Sequence, residues 1–332
     1  MAEINEEMIN IAIVGYGKIG QGVREAIGRD PDMRLVAILT RRLAEVRREV
    51  TDTCVFPVSA ATNLALKPVD VAILCGGSKQ DLLVQGPEFA RLFNTVDSFD
   101  THDIIPEYFV QVDSQAKEGG NVAVVCAGWD PGIFSDARVR ADAYLPGSNR
   151  YTFWGRGSSQ GHSNAVRQVP GVLDARQYTI PIPEAIESVR AGETPEFSKR
   201  QMHKRLVYVV AEPGADQERI RQEIASMPKY FVDYDTEVIF IIQEEMQRDH
   251  SAYPHGGFVL ASGRTGDDNK QLLEFRCELE SNPEFTASVL VACARAAHRF
   301  SQEGRKGALT MLDIPASYLS PRSGEELRRD FM

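Results

Sequence analysis

The chain has 332 residues, 43% hydrophobic and 25% charged, with a formal net charge of −10. That length suits about two ordinary domains with full cores, and the acidic balance argues against nucleic acid as a partner, since a phosphate backbone needs a basic surface. Residues 1–8 are acidic and lack the pattern of a signal peptide, no apolar run approaches the roughly 18 residues that cross a bilayer, and five scattered cysteines without a C-x-x-C pair read as reduced cytosolic thiols.

In chain order, the first predicted strand is 9–14, and Gly15-Tyr16-Gly17-Lys18-Ile19-Gly20 follows it. Such glycines allow a tight turn and close backbone approach, so that a pyrophosphate sits on the positive end of the next helix. That helix is expected over 18–28, ended by Gly28 and Pro31. The second strand, 34–39, runs into Thr40-Arg41-Arg42, and 33–44 holds three arginines and no acidic residue. An acidic residue there would suit a free ribose 2′-hydroxyl, whereas arginine suits a 2′-phosphate. NADP is therefore expected over NAD.

Further strands are expected at 69–74, 94–97 and 121–126, with a helix over 79–92. This βαβ rhythm implies an α/β fold opening with a Rossmann unit, a doubly wound parallel sheet that binds ligands at the carboxyl ends of its strands. The nucleotide domain is placed at 1–130, completed by about 290–332. Cys75, Gly76, Gly77 and Ser78 follow the third strand and are assigned to the cofactor. Asp97-Ser98-Phe99-Asp100-Thr101-His102 follows the fourth, where capping of a new helix is the plain alternative. Gly128-Trp129-Asp130-Pro131-Gly132 follows the fifth. A flat indole wall with carboxylates Asp100 and Asp130 at adjacent strand ends suits a cationic amine.

Beyond residue 130 the expected strands are 150–154, 177–181, 205–211, 236–243, 258–262 and 272–279, with helices at 183–191, 216–227 and 285–300. This is an α+β region on a mixed sheet, placed at 131–289. Gly157-Ser158-Ser159-Gln160-Gly161 matches the nucleophile elbow of serine hydrolases, which needs a buried strand before it and a distal Asp and His. The preceding run is polar and aromatic, so a polar loop over a ligand fits better. Six histidines show no metal-ligand spacing, and no metal is expected. Arg205 opens a β-like run and could point inward at a carboxylate. A semialdehyde dehydrogenase would need a nucleophilic cysteine, and Cys75 and Cys126 have no adjacent histidine. A non-catalytic NADP-binding sensor is the remaining alternative.

Taken together these residues resemble the meso-diaminopimelate dehydrogenases. The resemblance runs from about Ile9 onward, through Ile13-Val14-Gly15-Tyr16-Gly17, Gly128-Trp129-Asp130-Pro131-Gly132, Phe153-Trp154-Gly155 and Ser159-Gln160-Gly161-His162-Ser163. It continues in Gln177-Tyr178-Thr179, His203-Lys204-Arg205, Pro254-His255-Gly256-Gly257 and Asn282-Pro283-Glu284-Phe285-Thr286-Ala287-Ser288. It implies a homodimer that uses NADP to deaminate the D-centre of meso-2,6-diaminopimelate, in lysine and cell-wall precursor metabolism. By this resemblance Asp100 and Asp130 are the catalytic carboxylates and hold the amine beside Trp129. Thr179, Arg205, His255 and Asn282 hold the distal L-centre, and Trp154, Gln160 and Gly161 complete the substrate set. Residues 131–289 then serve substrate binding and dimerisation. One departure is Ile104, where the family often carries an acidic residue; Asp103 precedes it.

Overall fold

A computed structural model describes residues 8–62 and 68–332. Of the acidic start considered above, 1–7 lies outside the described residues. The chain divides into two units, Met1–Asp136 with Pro283–Met332, and Ala137–Asn282.

The first unit opens with β1 (Ile9–Val14), buried at every position, as a strand must be when both faces of its sheet are covered. Alternate side chains feed two cores. Ile11 and Ile13 join Val23 and Ile27 of α1 (Lys18–Ile27), while Ala12 and Val14 join a cluster on the other face. Then come β2 (Met33–Thr40), α2 (Leu43–Glu49), β3 (Cys54–Pro57) and β4 (Val71–Leu74). The expected helix over 79–92 divides into a π-helical turn, Ser78–Leu82, and α3 (Leu83–Ala90). The turn is closed by the Leu82 N–H donating to the Gly77 carbonyl at 3.1 Å, and within it the Asp81 carboxylate accepts the N–H of Gly77 at 3.0 Å. β5 (Asn94–Asp97), α4 (Ile105–Gly119), β6 (Val122–Val124) and α5 (Ile133–Tyr144) follow. Phe89 of α3 and Tyr108 and Val112 of α4 complete the second core.

The second unit carries two sheets. β7 (Asn149–Trp154), β8 (Gly157–Ser158), α6 (Gln160–Arg167), β9 (Val172–Pro181), α7 (Pro183–Arg190) and α8 (Lys199–Met202) come first. β10 (His203–Ala211), α9 (Gln217–Ala225), β11 (Asp235–Phe240), α10 (Gln243–Asp249), β12 (His255–Thr265) and β13 (Asn269–Leu279) follow. The order β11-β10-β9-β8 is a mixed sheet, parallel only between β10 and β11. Its core sets Val207 and Val209 among Val166, Ile220, Ile224 and Phe231. The separate sheet β13-β12-β7 is antiparallel throughout.

The chain then returns to the first unit with α11 (Asn282–Gln302) and β14 (Gly307–Leu309). β14 completes an all-parallel seven-stranded sheet, β14-β6-β5-β4-β1-β2-β3. Leu290 and Ala294 of α11 enter the same core as Ile11. Arg295, 2% exposed, anchors the helix by donating to Asp32 at 2.6 Å, to the carbonyl of Leu319 at 2.7 Å, and to Asp30. Removing one partner of such a buried ion pair costs about 3–5 kcal/mol. Among the described residues no helix is long and apolar enough to cross a membrane.

Candidate active site

The carboxyl end of β1 meets the glycine turn. Gly15 has φ +93°, and a Cβ on Gly20 would stand 2.2 Å from the Gly15 carbonyl oxygen, so both positions exclude a side chain. Gly17 precedes α1 without a side-chain cap, and the first turn carries no acidic residue. The first amides of α1 therefore keep their affinity for an anion, and the helix dipole adds to it. A dinucleotide pyrophosphate fits that cradle. Lys18 and Ile19 form the first positions of α1, and Tyr16 is buried beneath it.

At the neighbouring strand end, Thr40 is buried and its Oγ1 accepts the N–H of Arg42 at 3.1 Å. Both arginines already face carboxylates. Arg42 pairs with Glu45 at 2.6 Å and also touches the carbonyl of Tyr16, and Arg41 pairs with Asp81 at 2.9 Å. The exposed Arg42–Glu45 pair is worth about 0–1 kcal/mol, so that guanidinium stays open to a phosphate. Beyond β4, Ser78 Oγ lies 3.0 Å from Thr101 Oγ1 and accepts the N–H of Asp100 at 3.0 Å. The loops after β4 and β5 are thereby joined, next to Gly76 and Gly77. Burial pushes up the thiols of Cys75 and Cys126, the latter aided by the carboxylates of Asp97 and Asp100. Neither is a ready nucleophile.

Asp100 and Asp130 follow β5 and β6, which are neighbours in the sheet. What ties the two loops together is Asp97. Its Oδ1 accepts the N–H of Phe99 at 2.9 Å and of Cys126 at 3.1 Å, and its Oδ2 accepts the Tyr108 hydroxyl at 2.7 Å. Burial pushes this carboxyl above its ordinary range against the pull of those three bonds. No side chain of the 97–102 run caps the short turn His102–Ile104 or α4, so the capping alternative does not describe this loop. Trp129 is buried and packs edge-on to Phe134, with centroids 5.1 Å apart.

In the second unit one row crosses the mixed sheet, pairing Thr236 with Arg205, Arg205 with Thr179, and Thr179 with Gly157. Residues so paired share a face. Arg205 is 7% exposed, donates to Thr179 Oγ1, and lies over the ring of Tyr234 at 3.9 Å. Burial lowers the pKa of this guanidinium, and Tyr234 works in the opposite direction. The inward orientation is as expected, yet among the described residues no carboxylate pairs with it. Among the described residues its Nε has no partner, nor do the buried Oε1 of Gln177, Oγ1 of Thr236 and Oγ of Ser158. A buried cation with orphaned donors calls for an anion supplied from outside the chain.

Nearby, His203 is buried, and its Nε2 accepts the N–H of Trp154 at 2.8 Å. Burial, aided by the charge of Arg205, pushes its pKa down to about 4. The indole of Trp154 stacks on this imidazole with centroids 5.5 Å apart. His255 opens β12, its Nδ1 accepting the N–H of Gly256 at 2.9 Å, and the N–H of Asn282 donates to the Tyr253 carbonyl at 2.9 Å. Gln160 and Gly161 open α6, with open space beside the Gly161 backbone. Ser159 caps that helix, its Oγ 2.7 Å from His162 Nδ1 within the same turn. The hydroxyl is spent on local structure, and β8, the strand before it, has only two residues.

Sequence reasoning did not single out Asp81, Asp97, Tyr108 or Tyr234. Asp97 carried a signal, since a carboxylate closing an inner strand of a parallel sheet must find donors. Tyr234 lies in a loop far along the chain from Arg205 and left none.

Comparison with known proteins follows the same lines. Residues 128–281 match the family described as the diaminopimelic acid dehydrogenase C-terminal domain. The chain is 53% identical to the meso-diaminopimelate D-dehydrogenase of Acetivibrio thermocellus, over 100% of both chains. Among solved structures it is similar to a mutant meso-DAPDH of Clostridium tetani with DAP (TM-score 0.93, 48% identity, 98% of this chain and 100% of that one). It is also similar to an engineered D-amino acid dehydrogenase bound to NADP+ (TM-score 0.86, 42% identity, 98% and 100% covered).

Proposed function

This chain belongs to the meso-diaminopimelate D-dehydrogenase family, and from that membership we propose how its residues perform the family's reaction. The protein is an NADP-dependent amino-acid dehydrogenase that oxidatively deaminates the D-centre of meso-2,6-diaminopimelate. The products are L-2-amino-6-oxopimelate, which cyclises to tetrahydrodipicolinate, with ammonia and NADPH.

NADP, when bound, supplies the hydride acceptor. Gly15 to Gly20 hold its pyrophosphate on α1, and Thr40, Arg41 and Arg42 take its 2′-phosphate. Residues 75–78 line the same crevice. Asp100 and Asp130 bind the substrate ammonium, and one of them, or a water between them, accepts its proton, because the nitrogen must be neutral when the C–H bond breaks. Trp129 supplies the apolar wall beside them. Thr179, Arg205, His255 and Asn282 hold the L-centre, with Trp154, Gln160 and Gly161 around it. The substrate has similar chemistry at both ends, so fixed polar partners at the distal end decide which end reacts. The observation that carries this reading is the buried Arg205 with its unpaired Nε, which a substrate carboxylate satisfies.

The nucleotide domain spans 1–130 and is completed by about 290–332, while 131–289 binds the substrate and a second copy. Exposed Leu272, Leu273 and Phe275 on the edge strand β13 support a homodimer. The cytoplasm is the expected compartment, in keeping with the unpatterned cysteines.

The test is Arg205→Ala. KM for meso-diaminopimelate should rise about 10- to 100-fold, the worth of a charged hydrogen-bonded contact, with NADP binding unchanged. Lost NADP affinity, or an unchanged KM, would assign Arg205 elsewhere.

A further inference from the structure

We propose that Asp81 is a positioning residue for the cofactor, holding the Arg41 guanidinium where it meets the 2′-phosphorylated adenosine end. The proposal rests on the NADP reading above. In the sheet order, β1 lies between β4 and β2. Arg41 directly follows β2, and Asp81 lies in the π-helical turn after β4. Their pairing therefore spans the carboxyl end of β1, where the glycine turn begins. Contact is two-point, with Arg41 Nη1 2.9 Å from Oδ1 and Nη2 3.2 Å from Oδ2.

The two partners are unequal. The Asp81 side chain is 14% exposed and that of Arg41 is 74% exposed. Asp81 is fixed without Arg41, because its Oδ2 also accepts the Gly77 N–H at 3.0 Å. It also packs so close to Gly76 that a Cβ there would stand 2.6 Å from its own Cβ. The carboxylate is thus the rigid post and the arginine the long flexible arm. Freezing such an arm costs rotamer freedom, and a two-point grip meets that cost before the cofactor arrives. Two of the five guanidinium N–H groups are used, which leaves three, and the flat face, for the ligand.

A carboxylate that merely competes with phosphate for Arg41 predicts the opposite sign, so titration decides. NADP and NAD are titrated without substrate, by calorimetry, into the parent, Asp81→Asn, Arg41→Ala and the double variant. Asn at 81 keeps an oxygen for the Gly77 N–H and loses the ionic grip. Asp81→Asn should raise Kd for NADP about tenfold and move that for NAD by less than about twofold, with no further loss in the double variant over Arg41→Ala. Unchanged or tighter NADP binding by Asp81→Asn overturns the proposal, as does a full additional loss in the double variant. If Asp81→Asn proves too unstable to titrate, Arg41→Lys decides, since it keeps the charge without the fork; parental NADP affinity there overturns the proposal. A parent that binds NAD as well as NADP would instead sink the cofactor reading itself.

Discussion

Asp130 and His203 show what single residues contribute. Under the proposed mechanism Asp130 is one of two carboxylates at the amine, so Asp130→Asn should lower kcat/KM about 10²- to 10⁴-fold, as for loss of general-base chemistry; an unchanged steady-state value would leave this carboxylate a turn residue. His203 controls a pH effect instead. Its folded pKa of about 4 lies below the ordinary 6.5, so in that interval the unfolded chain takes up a proton that the folded chain refuses. Stability contributed by the neutral ring is whole above about pH 6.5 and is lost as pH falls towards about 4, by up to about 3 kcal/mol. Protonation would also fix a hydrogen on Nε2, which now accepts the N–H of Trp154. Urea unfolding of the parent and His203→Gln at pH 7, 5.5 and 4 should converge in free energy as pH falls. A constant difference would contradict this cause. Carboxylates and the arginine were visible in the sequence as chemistry at strand ends. The orphaned atoms around Arg205 were not, because burial arises only when β9, β10 and β11 align.

Elements were legible in proportion to their length and apolar content. β1, β2 and β4 are largely apolar runs bounded by turn residues, and that marks them. β3, β8 and β14 have four residues or fewer and take their conformation from the neighbours they pair with. α4 and α5 are longer and were not predicted, although α4 carries an apolar stripe, Tyr108, Val112 and Ala116, at helical spacing. The π-helical turn rests on a backbone bond from Leu82 to Gly77, with Asp81 folded back on the same glycine, and neither leaves a mark in the apolar pattern. β13 carries its own prediction. It is an edge strand whose Leu272, Leu273 and Phe275 are 38–40% exposed, an aggregation hazard unless covered. Leu273→Lys with Phe275→Lys should weaken self-association at least about tenfold, the penalty for charges in an apolar interface. Sedimentation would read this as a shift to monomer, and a dimer of parental strength would exclude β13 from the interface.

At the scale of the molecule, the chain leaves the first unit within α5 and returns to it at α11. The apolar spacing of 285–300 marks a packed helix, and its return to the first domain is expected only by analogy with other two-domain dehydrogenases, whereas the second three-stranded sheet is not separable from the mixed one by pattern alone. Function followed a similar course. The glycine turn and the arginines named a cofactor, but only the strand ends and the buried arginine together favour a zwitterion with a second charged end. The most direct measurement is therefore NADP reduction with meso-, LL- and DD-diaminopimelate in parallel, with NAD as the control cofactor. Reduction of NADP with the meso isomer, far exceeding that with the LL isomer or with NAD, is the predicted result; no reduction with the meso isomer would contradict the account.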